Sequence, residues 1–462
     1  MERLGRPSRR RELLQILSLA SPIAAGQIAQ MLMNLTDSVV MGRIDVDSLA
    51  AGSLVGNIAL MMILTAQGLT MSIQPLVAQA RGAGDSSNAG ATVIAGVLIS
   101  IVTSIPIILI LTQIDDILLA LGEPDGIARL TLRYALAFAW AVPPMLLQAV
   151  ARNYLLAIER PRASMVVTTI ACLANGLLAW ALVFGHLGLP ALGLAGSGYA
   201  TAIVCWASTL ALIAYSRYAR LIPAGIFSLS GREIGDGLAA VLKIGWPIAG
   251  VLMAEVGLFT ASPVVMGYFG SAALAAHQIC LGVASLVFMV PLSIGQAATV
   301  RVGFLVGAGA FTQARTAGYM ALVAGLGFMI VSASALILGA HTVLSLYLDA
   351  NDPQRDAVIA IGEKMILVAA AFQLFDGAQA VASGALRGLK DTRAAMLAGI
   401  VGYWGLGMPI GIGLAFGLDF GPVGLWWGFA AGLGATALLL TSRFRHKANL
   451  LTNGRDSRTL SG

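Results

Sequence analysis

The chain of 462 residues is 58% apolar and 11% charged, whereas charged residues make up about 25% of an average soluble protein. So few charges cannot clothe a water-soluble surface of this length, and a soluble enzyme is excluded. The net charge of +6 takes its meaning from where Lys and Arg fall along the chain, and it implies no nucleic-acid partner.

From the N-terminus, Arg3, Arg6, Arg9, Arg10 and Arg11 precede an apolar run at about 14–41. That run is too long for a signal peptide and has no small-residue cleavage site at its end, so it reads as a retained first helix. On it Gln27, Gln30, Asn34 and Asp37 fall within about 80° of arc at 100° per residue, one polar stripe ending in a charge. Eleven further runs follow at about 48–73, 89–113, 128–151, 164–186, 192–216, 240–266, 274–297, 316–340, 358–384, 396–416 and 420–441. Each is near the twenty residues that a helix needs to cross a bilayer. Unbroken apolar runs select helices over a barrel, whose strands alternate in segments of about ten residues. In the seventh run Glu255, Phe259 and Ser262 share a face; in the tenth, Gln373, Asp376, Gln379 and Ser383 lie within about 120°.

Basic residues set the orientation. With both termini inside, all but five of the 28 Lys and Arg fall on the cytoplasmic side. The five are Arg43, Arg129, Arg133, Arg355 and Lys364, and Asp115, Asp116, Asp125, Asp349 and Asp352 collect on that other side. Cys172, Cys205 and Cys280 sit at unrelated spacing within spans, which favours neither a disulfide framework nor a metal site. No GxxxxGK[ST], HExxH or GxSxG motif occurs, so neither ATP-driven transport nor hydrolysis has support. No cofactor is expected.

The chain repeats itself. At a shift of 225 positions Pro22-Ile23-Ala24 meets Pro247-Ile248-Ala249, Val39-Val40-Met41-Gly42 meets Val264-Val265-Met266-Gly267, and Gly82-Ala83-Gly84 meets Gly307-Ala308-Gly309. At 231, Gln148-Ala149-Val150-Ala151 meets Gln379-Ala380-Val381-Ala382. An even number of spans separates the copies, so both halves enter the membrane the same way, which is the parallel type of transporter repeat. The expectation is an all-α membrane protein of twelve transmembrane helices in two six-helix lobes, 12–216 and 240–445, joined by a cytoplasmic linker at 217–239. Two lobes around a cleft suit alternating access, and one chain is sufficient for it.

Asp37, Glu255 and Asp376 stand inside apolar spans, none with an evident intramembrane Lys or Arg partner. Intramembrane carboxylates are costly and by default face a cavity or a partner. In apolar surroundings such a group holds a proton or is kept ionised by a hard cation bound through oxygen, and either gives a coupling site. A negative, partly apolar cavity suits a lipophilic organic cation, with Phe259, Tyr403, Trp404, Phe372, Met33 and Met253 as adaptable surfaces. Exchange follows if organic cation and coupling ion cannot both satisfy one carboxylate.

With these residues in hand, the sequence resembles the multidrug and toxic compound extrusion family, in its bacterial NorM-like branch. The resemblance rests on Asp37-Ser38-Val39-Val40-Met41-Gly42-Arg43, on Glu255 with Ala276-His277-Gln278-Ile279, on the stretch from Pro291 to Gly303, and on Arg387-Gly388-Leu389-Lys390-Asp391. It implies an inner-membrane antiporter that expels cationic and amphipathic compounds against Na⁺ or H⁺. It implies Glu255 and Asp376 as cation ligands, with Na⁺ favoured, and assigns Asp37 to the other lobe's cavity. Asn175 matches a fifth-helix Asn, and Gln278 joins the candidate cavity. Ala179 stands where a second polar residue is common, which weakens an N-terminal ion site. The leading alternative is a lipid-linked precursor flippase of the same architecture, whose anionic cargo calls for basic residues that are not evident well inside a span. An ion channel lacks a charged ring or filter repeat, and a membrane enzyme lacks a nucleophile–base pair.

Overall fold

Inside a bilayer each backbone N–H and C=O must be satisfied within its own segment, so long apolar runs fold as helices. The computed structural model describes residues 8–223 and 225–454, and Arg3, Arg6, Arg455 and Arg458 lie outside them. The first part of the chain forms α1 (Arg9–Gly42), α2 (Val46–Met71), α3 (Ile73–Ala83), α4 (Ser86–Thr112), α5 (Ile114–Ala120), α6 (Asp125–Ala139), α7 (Val142–Ala157), α8 (Pro161–Phe184) and α9 (Leu194–Tyr218). After a 3-10 turn at Ile226–Ser228 come α10 (Gly231–Gly267), α11 (Ser271–Gly307), α12 (Phe311–Leu346), α13 (Arg355–Gly388), α14 (Thr392–Ile400), α15 (Met408–Ile412) and α16 (Pro422–Thr452).

Among the described residues, eleven helices are long and apolar enough to cross a membrane, with α2 and α3 taken as one; a bent pair makes twelve. That pair is α6 and α7, set at 42° to each other. The sequence reads as one run there, but Pro143 and Pro144 open α7. Neither supplies the N–H that would continue the ladder from α6. The eleventh span also departs from a plain helix: π-helical stretches occupy Val401–Gly407 and Gly413–Gly417 on either side of α15.

The internal repeat is written into the backbone. The loops ending in Gly84 and Gly309 both close with a left-handed glycine, at φ 77° and 73°, a conformation that a β-carbon disfavours.

The compact units differ from the expected lobes at two helices. One unit is Ala25–Ala249; the other joins Gly250 onward to the start of the chain as far as Ala24. The division therefore passes within α1 and within α10, not at 217–239. It falls at Ala24 and Ala249, which the repeat places in register, each two residues after a repeat-matched proline, Pro22 and Pro247.

Packing explains the assignment. In the first of these units, Val241, Ile244 and Ile248 from the start of α10 join Leu69, Leu76, Ala95 and Ile99 in one apolar cluster. A β-carbon at Gly68 would stand 2.6 Å from the Ala249 Cα. The expected linker packs here too: the Tyr154 hydroxyl donates to the Leu221 carbonyl, and Ser87 Oγ donates to Glu233 Oε1 at 2.5 Å. Glu233 also accepts from Ser230 N and Oγ at 2.8 Å, closing a capping box at the start of α10.

In the other unit, Ile16, Leu19 and Ala20 from the start of α1 pack with Val302, Leu305, Leu440 and Phe444. Glu12 joins them through a buried pair with Arg301, at 2.9 and 3.0 Å. Helices α11 and α13 approach closely: a β-carbon at Gly384 would lie 2.1 Å from the Gly295 carbonyl oxygen. A second apolar cluster gathers Phe372, Tyr403, Trp426 and Phe429.

Candidate functional site

Each unit carries a carboxylate with polar neighbours within its spans. In the unit Ala25–Ala249, half-buried Asp37 on α1 faces fully buried Asn175 on α8. Asn175 Nδ2 donates to Asp37 Oδ1 at 2.6 Å. Asn175 Oδ1 and the hydroxyl of Ser197, on α9, are buried and have no hydrogen-bond partner among the described residues. Ala179, one turn beyond Asn175, is fully buried and offers no oxygen. Asp37 thus has Asn175 as a donor, and the Thr201 hydroxyl of α9 is a second hydrogen-bonding neighbour. Along α1 from Asp37, Gln27 and Gln30 are half-buried, Asn34 is exposed, and Met33 is buried.

In the other unit the polar face of α13 is almost wholly enclosed. Gln373, Asp376, Gln379 and Ser383 have between 1% and 5% of their surface exposed. Gln373 Oε1 and Nε2, Asp376 Oδ1, Gln379 Oε1 and Ser383 Oγ all lack a hydrogen-bond partner among the described residues. Gln379 Nε2 donates to the hydroxyl of Tyr403, which is fully buried in the first π-helical stretch. Glu255, half-buried on α10, is close enough to Asp376 for their charges to interact, and Tyr403 lies within the field of both.

Three helical elements thus bring together residues far apart in sequence. Buried acceptors without donors cost about 1–3 kcal/mol each, and a run of them beside two carboxylates is what a hard cation or a proton relieves. Among the described residues no group of three or more His, Cys, Asp or Glu converges. A cation here would therefore rest on two carboxylates plus neutral oxygens.

The other expected residues are placed differently. Phe259 packs edge-on against Phe372 and Phe429, with ring centroids at 6.1 and 5.9 Å. Gln278 on α11 is exposed. Trp404 is partly exposed, and its indole N–H donates to the Ala254 carbonyl at 3.0 Å, bracing the turn that carries Glu255. Gln373, Gln379, Tyr403 and Asn175 are all buried, with at most 2% of their surface exposed.

One expectation needs correction. Glu255 does have a basic neighbour: Arg387, buried near the end of α13, interacts electrostatically with it and with Tyr403. Its nearness to the helix end groups it with the cytoplasmic basic residues in the sequence, and only the fold reveals that it lies within the field of Glu255.

The MatE family model matches residues 22–181 and again 247–412, the same segment once in each half of the repeat. The chain belongs to the MatE family. It is a multi-pass membrane protein, and MATE transporters share its all-helical fold. It is 39% identical, over 98% of its length and 96% of the relative's, to a probable multidrug resistance protein NorM of Burkholderia pseudomallei (strain K96243). It is 40% identical to the multidrug resistance protein NorM of Burkholderia vietnamiensis, with 96% of each chain covered. Among solved structures, it superposes with a TM-score of 0.83 on the eukaryotic MATE transporter AtDTX14, at 21% identity over 97% of this chain and 99% of that one. A multidrug resistance MATE transporter in an outward-facing conformation gives a TM-score of 0.84 at 18% identity, covering 96% and 97%.

Proposed function

We propose that the protein is a secondary active antiporter of the bacterial inner membrane. It exports cationic and amphipathic compounds, as the multidrug naming of its NorM relatives suggests, in exchange for Na⁺, with H⁺ as the competing ion. Both termini face the cytoplasm, and the lobes 12–216 and 240–445 alternate access to the two sides.

One observation carries this reading: the carboxylate of Asp376 is buried with Oδ1 unpartnered, beside Glu255 and a face of neutral oxygens. Na⁺ enters as co-substrate, held by Asp376 and Glu255 with the Tyr403 hydroxyl and Gln379 Oε1 in support. Arg387 competes for Glu255, so loading the cation and releasing that interaction are linked. Organic cation and coupling ion exclude each other by contending for the same negative charge. Asp37, with Gln27, Gln30, Asn34 and Asn175, contributes to the substrate path, as do Phe259 and Gln278.

The test is efflux of a fluorescent organic cation from proteoliposomes with Na⁺ and pH gradients imposed separately. Wild type is expected to respond to the Na⁺ gradient alone, with Glu255→Gln and Asp376→Asn each reducing that rate about 10- to 100-fold, the value of a lost charged hydrogen bond. A response to pH alone replaces Na⁺ by H⁺. Variants that behave like wild type remove the coupling site and bring the flippase forward.

A further inference from the structure

A groove of about 720 Å³ lies between α12 and α16, lined by Arg315, Tyr319, Leu438, Thr441, Ser442, Arg445 and Asn449. We infer that it is a binding site for the headgroup of an anionic phospholipid, with the phosphodiester held by Arg315 and Arg445.

The chemistry of the lining carries this. Two guanidinium groups face one opening, and no carboxylate lines it. Arg315 Nη1 donates to Asn449 Oδ1 at 3.1 Å, which orients its fork while leaving its other N–H groups for a ligand. Arg445 is exposed and its charge is not committed to an ion pair among the described residues. The nearby Arg443 is different, because Asp391 Oδ2 holds it at 2.8 Å, and it does not line the groove. Thr441 adds a hydroxyl to the lining, whereas the Ser442 hydroxyl donates to the Leu439 carbonyl at 2.9 Å. Planar guanidinium forks match phosphate oxygens in pairs, so two of them beside a hydroxyl make a phosphate site.

Position selects a lipid over free phosphate. Arg315 sits just before the apolar run at about 316–340 and Thr441 at the end of the run at about 420–441, so the guanidinium groups stand at the membrane boundary. One further turn into the membrane, Leu438 is 72% exposed, an apolar surface where an acyl chain would lie. The floor is firm: Tyr319 packs edge-on against buried Phe444, with centroids 5.8 Å apart. Basic pockets between transmembrane helices on the cytoplasmic side are suited to acidic headgroups.

The test is lipid titration of the purified full-length protein in detergent, read by native mass spectrometry and by the thermal unfolding midpoint. Dioleoyl phosphatidylglycerol, dioleoyl phosphatidylcholine and inorganic phosphate are the probes. Phosphatidylglycerol is expected to add as a discrete bound lipid and to raise the midpoint, with affinity falling as salt rises. Each basic group near a membrane surface contributes about fivefold in affinity, so Arg445→Gln should weaken binding about fivefold and R315Q/R445Q about 25-fold. Arg162→Gln, an exposed basic residue of the other unit, should leave it unchanged. Arg445→Gln alone, which removes an exposed side chain, decides the matter if the double variant does not fold. Equal binding of phosphatidylcholine, a full response to inorganic phosphate, or undiminished phosphatidylglycerol binding by the arginine variants would each overturn the assignment.

Discussion

Glu12 and Arg301 meet through two charge-assisted hydrogen bonds with less than a tenth of either side chain exposed. Removing one member of such a buried pair costs about 3–5 kcal/mol, because the other charge is stranded. Glu12→Gln should therefore lower the thermal unfolding midpoint in detergent by several degrees. Glu12→Gln with Arg301→Gln should be less destabilised than the two single changes added together, and simple additivity in that cycle would rule out the coupling. Glu12 illustrates where residues could be read from sequence and where they could not. Asp376 with its amide neighbours was legible, because four polar residues on one face of an apolar helix stand out by spacing alone. The partners of Glu12 and Glu255 were not. Arg301 lies 289 positions from Glu12, and Arg387 sits at the end of a span where basic residues are ordinary.

Helix packing in a membrane depends on small residues that let backbones approach, since lipid is as apolar as the helices themselves. Gly384 is such a position: any β-carbon there meets the Gly295 carbonyl of α11 at 2.1 Å, and rigid backbone must yield. Gly384→Ala is expected to destabilise by about 1–3 kcal/mol, the usual cost of overpacking. Gly282→Ala on α11, where nothing lies within 4 Å of the added carbon, should be neutral. Comparing their unfolding midpoints checks this, and equal midpoints would mean that α11 and α13 separate without cost. The spans were legible because hydropathy registers length and charge, which are all a crossing requires. Irregularities within them were not: the Pro143–Pro144 bend and the π-helical stretches leave hydropathy unchanged.

For the whole molecule, the repeat gave the parallel two-part plan, but the exchange of helix starts between units was hidden. Periodicity tells that α1 and α10 cross the membrane and says nothing of which neighbours they cross beside. Cutting the chain between Leu229 and Ser230 leaves the fragment 1–229 without Val241, Ile244 and Ile248 for its cluster at Leu69. The fragment 230–462 in turn lacks Ile16, Leu19 and the Glu12 partner of Arg301. Neither fragment alone should purify as a monodisperse, heat-resistant species, whereas the two expressed together should copurify. A stable 1–229 fragment would show that the exchanged starts contribute little.

The same exchange bears on ancestry. In a single six-helix precursor with the same packing, the opening stretch of the first helix would have belonged with another copy and left its own interior incomplete. Such a precursor would have lived as a pair of identical chains that traded those stretches, a swapped dimer. Fusion then needed only a tether between existing partners, and it guaranteed that each half was born beside the one neighbour able to finish it.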